Sequence, residues 1–139
     1  MKKTHKTNGT VIDYAYDNLG NILQVRNSKG STVDYTVDGM DRRIVKKVSG
    51  VFADGYIYQD FLRPAAQLNA NGSVRALFVY GTRFNSPDII IKGGVTYRVV
   101  HDHVGSPIYV INTSNSSVAQ KITYDAWGNI LSDSNPGFQ

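Results

Sequence analysis

The stretch "YDNLGNI", residues 16–22, decides how the chain folds, because it returns as "YDAWGNI" at residues 124–130. Both copies follow the pattern Tyr-Asp-x-x-Gly-Asn-Ile. A catalytic residue is needed once, whereas a repeat architecture uses the same local structure many times. The duplication therefore indicates a repeat protein.

Each copy is typical of the end of one strand, a turn and the start of the next strand. Asp first and Gly last in residues 17–20 favour a type I turn, in which the carboxylate accepts backbone N–H groups and Gly permits the exit. Weaker copies follow Asp38, in "VDGMDRRI", and Asp102, in "HDHVGSPI". We predict a structural repeat signature made of Tyr16, Asp17, Gly20, Asn21, Asp38, Asp102, Gly105, Tyr124, Asp125, Gly128 and Asn129.

The spacing of these aspartates sets the period. Asp17 and Asp38 are 21 residues apart, Asp102 and Asp125 are 23 apart, and the interval between the two pairs has room for about three weaker units. A period near 21 residues with two short strands per unit predicts a repeat of β-hairpins. Because such units cannot bury a face alone, they stack on their neighbours.

Alternation of apolar and polar residues supports this prediction. It is the period of a strand with one buried face, and it occurs at residues 11–17, 32–38, 73–80, 95–101 and 117–124. The best helix candidate, residues 63–72, contains Pro64 and Gly72 and could hold one turn at most. Asn8-Gly9, Asp54-Gly55 and Asn71-Gly72 predict two-residue hairpin loops.

The predicted fold class is therefore all-β, with consecutive antiparallel hairpins forming a curved, twisted sheet. We predict that residues 1–139 form a single segment, a fragment of a larger β-shell.

Composition narrows the function. The chain has 139 residues, 41% of them hydrophobic and 19% charged, which is typical of a globular domain. The net charge of +4 is mild, and its densest cluster, "RRIVKK" at residues 42–47, suits a protected strand better than a nucleic-acid surface. The sequence contains no run of 18 apolar residues, so we predict no membrane span. No apolar stretch follows the first lysines, so we also predict no signal peptide.

No constellation of residues predicts catalysis, a metal or a cofactor. The chain contains no cysteine. His101 and His103 are two residues apart, so a strand would point both the same way, but two ligands are too few for a structural zinc site. The aspartates lack calcium-loop spacing and are better explained as turn caps. Among the aromatic residues, Trp127 lies inside a turn and is the candidate for ligand contact.

The repeated Tyr-Asp-x-x-Gly-Asn pattern resembles the YD repeats of Rhs proteins. Residues 58–83, 92–111 and 124–139 also resemble the stretch leading into the Rhs repeat-associated core. The resemblance implies polymorphic-toxin biology, as in a teneurin-like shell: YD repeats build a large spiral β-sheet around a C-terminal toxin, which an aspartyl-protease-like site near an Asp-Pro motif releases. This chain has no Asp-Pro dipeptide, so the protease role has no residues here.

The resulting hypothesis is a non-catalytic structural segment of a bacterial Rhs-type shell, secreted or at the cell surface in the full-length context. Its expected partners are the remainder of that protein, its toxin, and copies of itself joined through exposed sheet edges. The alternative is a carbohydrate- or protein-binding β module at a cell surface. An enzyme using Asp102 with His101 or His103 would require a concave pocket and an aspartate whose pKa is raised.

Overall fold

The computed structural model describes residues 2–7, through their backbone, and residues 9–138. Within these ranges the chain forms thirteen β-strands and no helix. The strands are β1 (Lys2–Thr7), β2 (Thr10–Tyr16), β3 (Ile22–Asn27), β4 (Thr32–Val37), β5 (Arg43–Val48), β6 (Val51–Tyr58), β7 (Pro64–Leu68), β8 (Val74–Val79), β9 (Ile89–Lys92), β10 (Val95–His101), β11 (Pro107–Asn112), β12 (Val118–Tyr124) and β13 (Ile130–Asp133).

The strands are distributed over two compact units, one ending at Val74 and the other beginning at Arg75. In the first unit β1 to β7 are hydrogen-bonded in chain order, and in the second unit β8 to β13 follow the same rule. The pairings within each unit are antiparallel. The predicted all-β fold of consecutive hairpins is confirmed.

Three local predictions come out differently. Residues 63–72 hold no helical turn, because Pro64–Leu68 form β7. Asp54 and Gly55 lie inside β6 rather than in a hairpin loop. Asn71 and Gly72 lie in a five-residue loop rather than a two-residue one, and Asn8 is outside the described residues.

A β-bulge follows the same turn position five times. Tyr16 pairs with Ile22 while Ala15 pairs with Gln24, so the strand leaving the turn carries one extra residue. The same shift occurs where β4 pairs with β5, β6 with β7, β10 with β11 and β12 with β13. Because a bulge increases the local right-handed twist, each of these hairpins is twisted at the same end.

Buried side chains are few and small in the described part of the chain. The buried apolar residues are Ala66, Ala76, Val99 and Val110. Gln67 and Gln120 are also buried, and their amides donate to the carboxylates of Asp54 at 2.8 Å and Asp133 at 2.9 Å. With so little apolar core, strand pairing, polar cross-strand pairs and turns carry much of the stability.

Candidate functional site

The most distinctive feature of the chain is a five-residue turn that begins at Asp17. The Oδ1 atom of Asp17 accepts the N–H groups of Leu19 at 2.9 Å and Asn21 at 2.8 Å. Its Oδ2 atom accepts the side-chain amide of Asn21 at 2.9 Å. The turn closes where the N–H of Asp17 donates to the carbonyl of Asn21 at 3.0 Å. The carboxylate is thus the centre of the turn.

The same turn recurs at the other aspartates that the sequence indicates. Asp38 accepts the N–H groups of Met40 and Arg42, and Asp125 accepts those of Trp127 and Asn129. The Asp102 carboxylate accepts three consecutive N–H groups, from residues 104, 105 and 106. We call the loops 17–21, 38–42, 59–63, 102–106 and 125–129 the aspartate turns.

Sequence reasoning missed the turn at residues 59–63. Its backbone closes from the N–H of Gln59 to the carbonyl of Arg63 at 3.0 Å, so Gln59 occupies the usual place of the aspartate. Asp60, one residue later, supplies the carboxylate and accepts the N–H groups of Leu62 and Arg63. The available signal was the Tyr58-Gln59-Asp60 sequence, 21 residues beyond the preceding copy.

A variant of the aspartate turn occupies residues 80–88. We call the five aspartate turns and this loop the joints. Here the carboxylate comes from the far end of the loop: Asp88 accepts the N–H groups of Gly81 at 2.8 Å and Thr82 at 2.7 Å, and the Thr82 hydroxyl at 2.6 Å. With this loop included, the joints begin at residues 17, 38, 59, 80, 102 and 125, at intervals of 21 to 23.

In four of the five aspartate turns, the side chain of the last residue donates a hydrogen bond to the second carboxylate oxygen. Asn21 and Asn129 use their amides, whereas Arg42 and Arg63 use their guanidinium groups, at 2.8 and 2.6 Å. These two arginines were not identified from the sequence, where the pattern specified Asn. A donor of either type, four residues after the turn begins, is the signal that identifies them.

The tyrosine before the turn fastens one hairpin to the preceding one. The Tyr58 hydroxyl donates to the carbonyl of Arg43 at 3.1 Å, and the Tyr124 hydroxyl donates to the carbonyl of Pro107 at 3.0 Å. Both acceptors are the first residue after the preceding aspartate turn. At Tyr124-Asp125 the dipeptide therefore joins two tasks, since Asp125 shapes its own turn and Tyr124 contacts the residue after the previous one.

Successive joints within a unit are also connected through side chains. The Asn21 amide donates to the Asp41 carboxylate at 2.7 Å, and the Arg42 guanidinium donates to the carbonyl of Asp60 at 2.9 Å. In the second unit the Arg83 guanidinium donates to the carbonyl of Asp102 at 3.2 Å. The joints thus form a hydrogen-bonded row within each unit.

These hydrogen bonds keep the turn carboxylates ionised. The side-chain hydrogen bond from Arg63 is the main cause that lowers the pKa of Asp60 to about 2, and that from the Thr82 hydroxyl lowers the pKa of Asp88 to about 2. At Asp102 burial would raise the pKa, but the N–H groups of residues 104 to 106 outweigh it and the pKa is lowered. An acid with a raised pKa, as the enzyme hypothesis requires, is not found at Asp102.

Each aspartate turn presents an apolar side chain at its third residue. These residues are exposed, and Trp127, the predicted ligand contact, is the most exposed at 90%. The set consists of Leu19, Met40, Phe61, Val104 and Trp127.

The two histidines of residues 101–103 are separated by the structure. His101 ends β10 and its Nε2 lies 2.7 Å from the Ser86 hydroxyl, whereas His103 is exposed in the turn. They do not share the face of one strand. In the described part of the chain no group of three or more His, Cys, Asp or Glu side chains could hold a metal ion.

Comparisons with known proteins give this architecture a family. The protein-family model described as Teneurin YD-shell matches residues 4–139, so the chain belongs to this family of YD-repeat shell proteins. The resemblance to the Rhs and YD-repeat family is confirmed. Across the described residues, no helix is long and apolar enough to cross a membrane.

Several curated relatives are animal proteins. "Teneurin-3" of Mus musculus is 31% identical over 94% of this chain, and "Teneurin-4" of Homo sapiens is 27% identical over 91%. "Teneurin-1" of Gallus gallus is 28% identical over 91%. The chain spans 5% of the length of each of these relatives. A bacterial origin, expected from the Rhs resemblance, has no support from them.

Proposed function

We propose that this chain is a non-catalytic structural segment of a YD-repeat shell wall. The observation that carries the proposal is the use of one turn design at regular intervals, with side-chain hydrogen bonds between successive joints within each unit. The eleven residues of the predicted signature serve as the wall's joints: aspartates close the turns, glycines permit their left-handed backbone, and tyrosines fasten consecutive hairpins.

A non-catalytic role agrees with how the polar groups are used. In the aspartate turns the carboxylates accept several donors each and have lowered pKa values. A general acid needs a pKa near the working pH and a proton to give. Carboxylates that are held inside turns and have lowered pKa values suit structural work.

In the full-length setting, the wall would enclose a C-terminal segment, a toxin in an Rhs-type protein, and keep it from the surrounding cell. We expect such a protein to be secreted or displayed at a cell surface. The family membership supports a shell wall, while the toxin and the location rest on the Rhs resemblance.

The structural role is tested inside one turn by two substitutions. Asp125→Ala removes the carboxylate that accepts two N–H groups and the Asn129 amide, so we expect a clear fall in the thermal unfolding midpoint. Trp127→Ala removes a side chain that is 90% exposed, so the midpoint should stay near that of the parent. Equal midpoints for Asp125→Ala and the parent would refute a structural role for this turn.

Trp127 favours a second candidate function, a module that binds carbohydrate or protein at a cell surface. An exposed indole is a ready stacking platform, and Val104 offers a second apolar tip in the same unit. A glycan-array screen with the parent chain and Trp127→Ala tests this function. Saturable binding that Trp127→Ala abolishes would support it, whereas the absence of binding would leave the wall role alone.

A further inference from the structure

The second unit contains a cleft beside the longest loop between two described strands. The loop, residues 80–88, replaces a five-residue turn and encloses a space of about 380 Å³ together with Val104 and Gly105. That volume lies within the range of small-ligand sites. An adjoining recess is lined by residues 98–101 of β10 and by Asp88.

The acidic groups at this cleft are committed to the backbone. Asp88 accepts two N–H groups and the Thr82 hydroxyl, and Asp102 accepts three N–H groups. Among the described residues, neither carboxylate makes an ion pair with Arg83 or Arg98. The carboxylate oxygens are thus directed to donors within their own loops, while the charge of Arg98 in the same recess acts on Asp88 and helps to lower its pKa.

Positive groups converge on the same space. Arg83 lines both the cleft and its recess, and Arg98 lines the recess. Burial lowers the pKa of His101 in the recess; the charges of Arg83 and Arg98 lower it further, whereas those of Asp88 and Asp102 raise it. Of the five N–H groups of Arg83, one donates to the carbonyl of Asp102. Gly105 makes room for this guanidinium, because a Cβ atom there would lie 3.1 Å from its Nη1 atom.

We propose that this cleft and its recess together form a binding site for an oxyanion, a carboxylate, sulfate or phosphate group, held by Arg83, which lines both, and by Arg98 of the recess. A guanidinium matches such groups through paired N–H donors, and the amide of Asn85 in the lining adds a further donor. Phe84 and Val104, 57% and 72% exposed at the rim, suit a ligand with an apolar part beside its anionic group.

The test is a titration of the full chain with sodium sulfate, sodium phosphate and sodium acetate at constant ionic strength, followed by amide NMR spectra. We expect saturable shifts confined to residues 82–88 and 98–106. Arg98→Gln should weaken binding about tenfold. The matched control, Arg26→Gln, removes an exposed strand arginine from the first unit and should leave the affinity unchanged.

Arg83→Gln provides a second variant, and the dispersion of its spectrum shows directly whether it still folds. Saturation by acetate alone would assign the site to carboxylates, and saturation by sulfate and phosphate would assign it to sulfated or phosphorylated ligands. Linear shifts spread over the whole chain would overturn the proposal, as would affinities that neither cleft arginine changes.

Discussion

At the scale of the residue, backbone handedness explains where glycine is required. Gly20, Gly105 and Gly128 adopt φ values of 93°, 104° and 84° at the fourth position of their aspartate turns. Asp41 fills the same position with φ of 60°. Asp tolerates this left-handed conformation better than most residues, so the turn survives where the Gly of the pattern is missing.

Ser49 offers a test of this reasoning. It forms a two-residue hairpin loop with Gly50, and both residues have positive φ, 49° and 81°. Such loops favour Asn-Gly, so Ser49→Asn should raise the free energy of unfolding by about 0.5–1 kcal/mol in urea denaturation. Ser49→Ala, which lacks local hydrogen bonding, is the control and should not stabilise. Equal values for the two variants would contradict the argument.

Acid stability is a second residue-scale prediction. Asp60 and Asp88 have folded pKa values of about 2, below the ordinary aspartate value near 4. The unfolded chain therefore binds more protons, so their stabilising contribution is full above pH 4 and declines as the pH falls toward 2. Urea unfolding between pH 5 and pH 2 measures the decline. The decline in the free energy of unfolding should be shallower in Asp60→Asn than in the parent chain. Parallel pH curves for the two proteins would refute the lowered pKa of Asp60.

At the scale of the element, the tyrosine hydroxyl is expected to stabilise the pairing of β5 with β6. Tyr58→Phe removes its hydrogen bond to Arg43 and should lower the free energy of unfolding by about 0.5–1.5 kcal/mol. Tyr35→Phe is the matched control, since the Tyr35 hydroxyl makes no hydrogen bond within the described structure. Equal losses of unfolding free energy in the two variants would show that packing of the Tyr58 ring, rather than its hydroxyl, accounts for its contribution to stability.

Alternation predicted the strands that it marks clearly, which are β2, β4, β8, β10 and β12. Strands without it were harder to predict. In β6, Asp54 and Gly55 suggested a turn, but Asp54 receives the buried Gln67 amide from the adjacent strand. A cross-strand partner overrides local turn preference, and a short sequence window does not contain that partner.

The joints were predictable in part, for a related reason. Four turn aspartates could be predicted from the sequence because each occupies the same place in a local pattern: Asp17, Asp38, Asp102 and Asp125. Asp88 stays hidden, because it completes its turn from the far end of a nine-residue loop. The bulge after each turn is also invisible in the sequence, since it is a property of the register between two strands.

At the scale of the whole molecule, the outer strands predict self-association. In the described chain β1 pairs with β2 alone and β13 with β12 alone, so each has one side without a paired strand. Such edges pair readily with other copies. We expect light scattering coupled to size-exclusion chromatography to detect oligomers at tens of micromolar.

Two variants with the same change of side chain show whether the edge of β13 is responsible. Leu131 lies in β13 and is 68% exposed, so Leu131→Lys places a charge on the edge strand and should shift the chain toward monomer. Leu19→Lys places the same charge on a turn tip that is 79% exposed and should leave the oligomer intact. A monomeric parent chain would refute edge pairing. Dissociation of both variants would indicate that added positive charge anywhere on the surface weakens association, and the edge of β13 would then not be responsible.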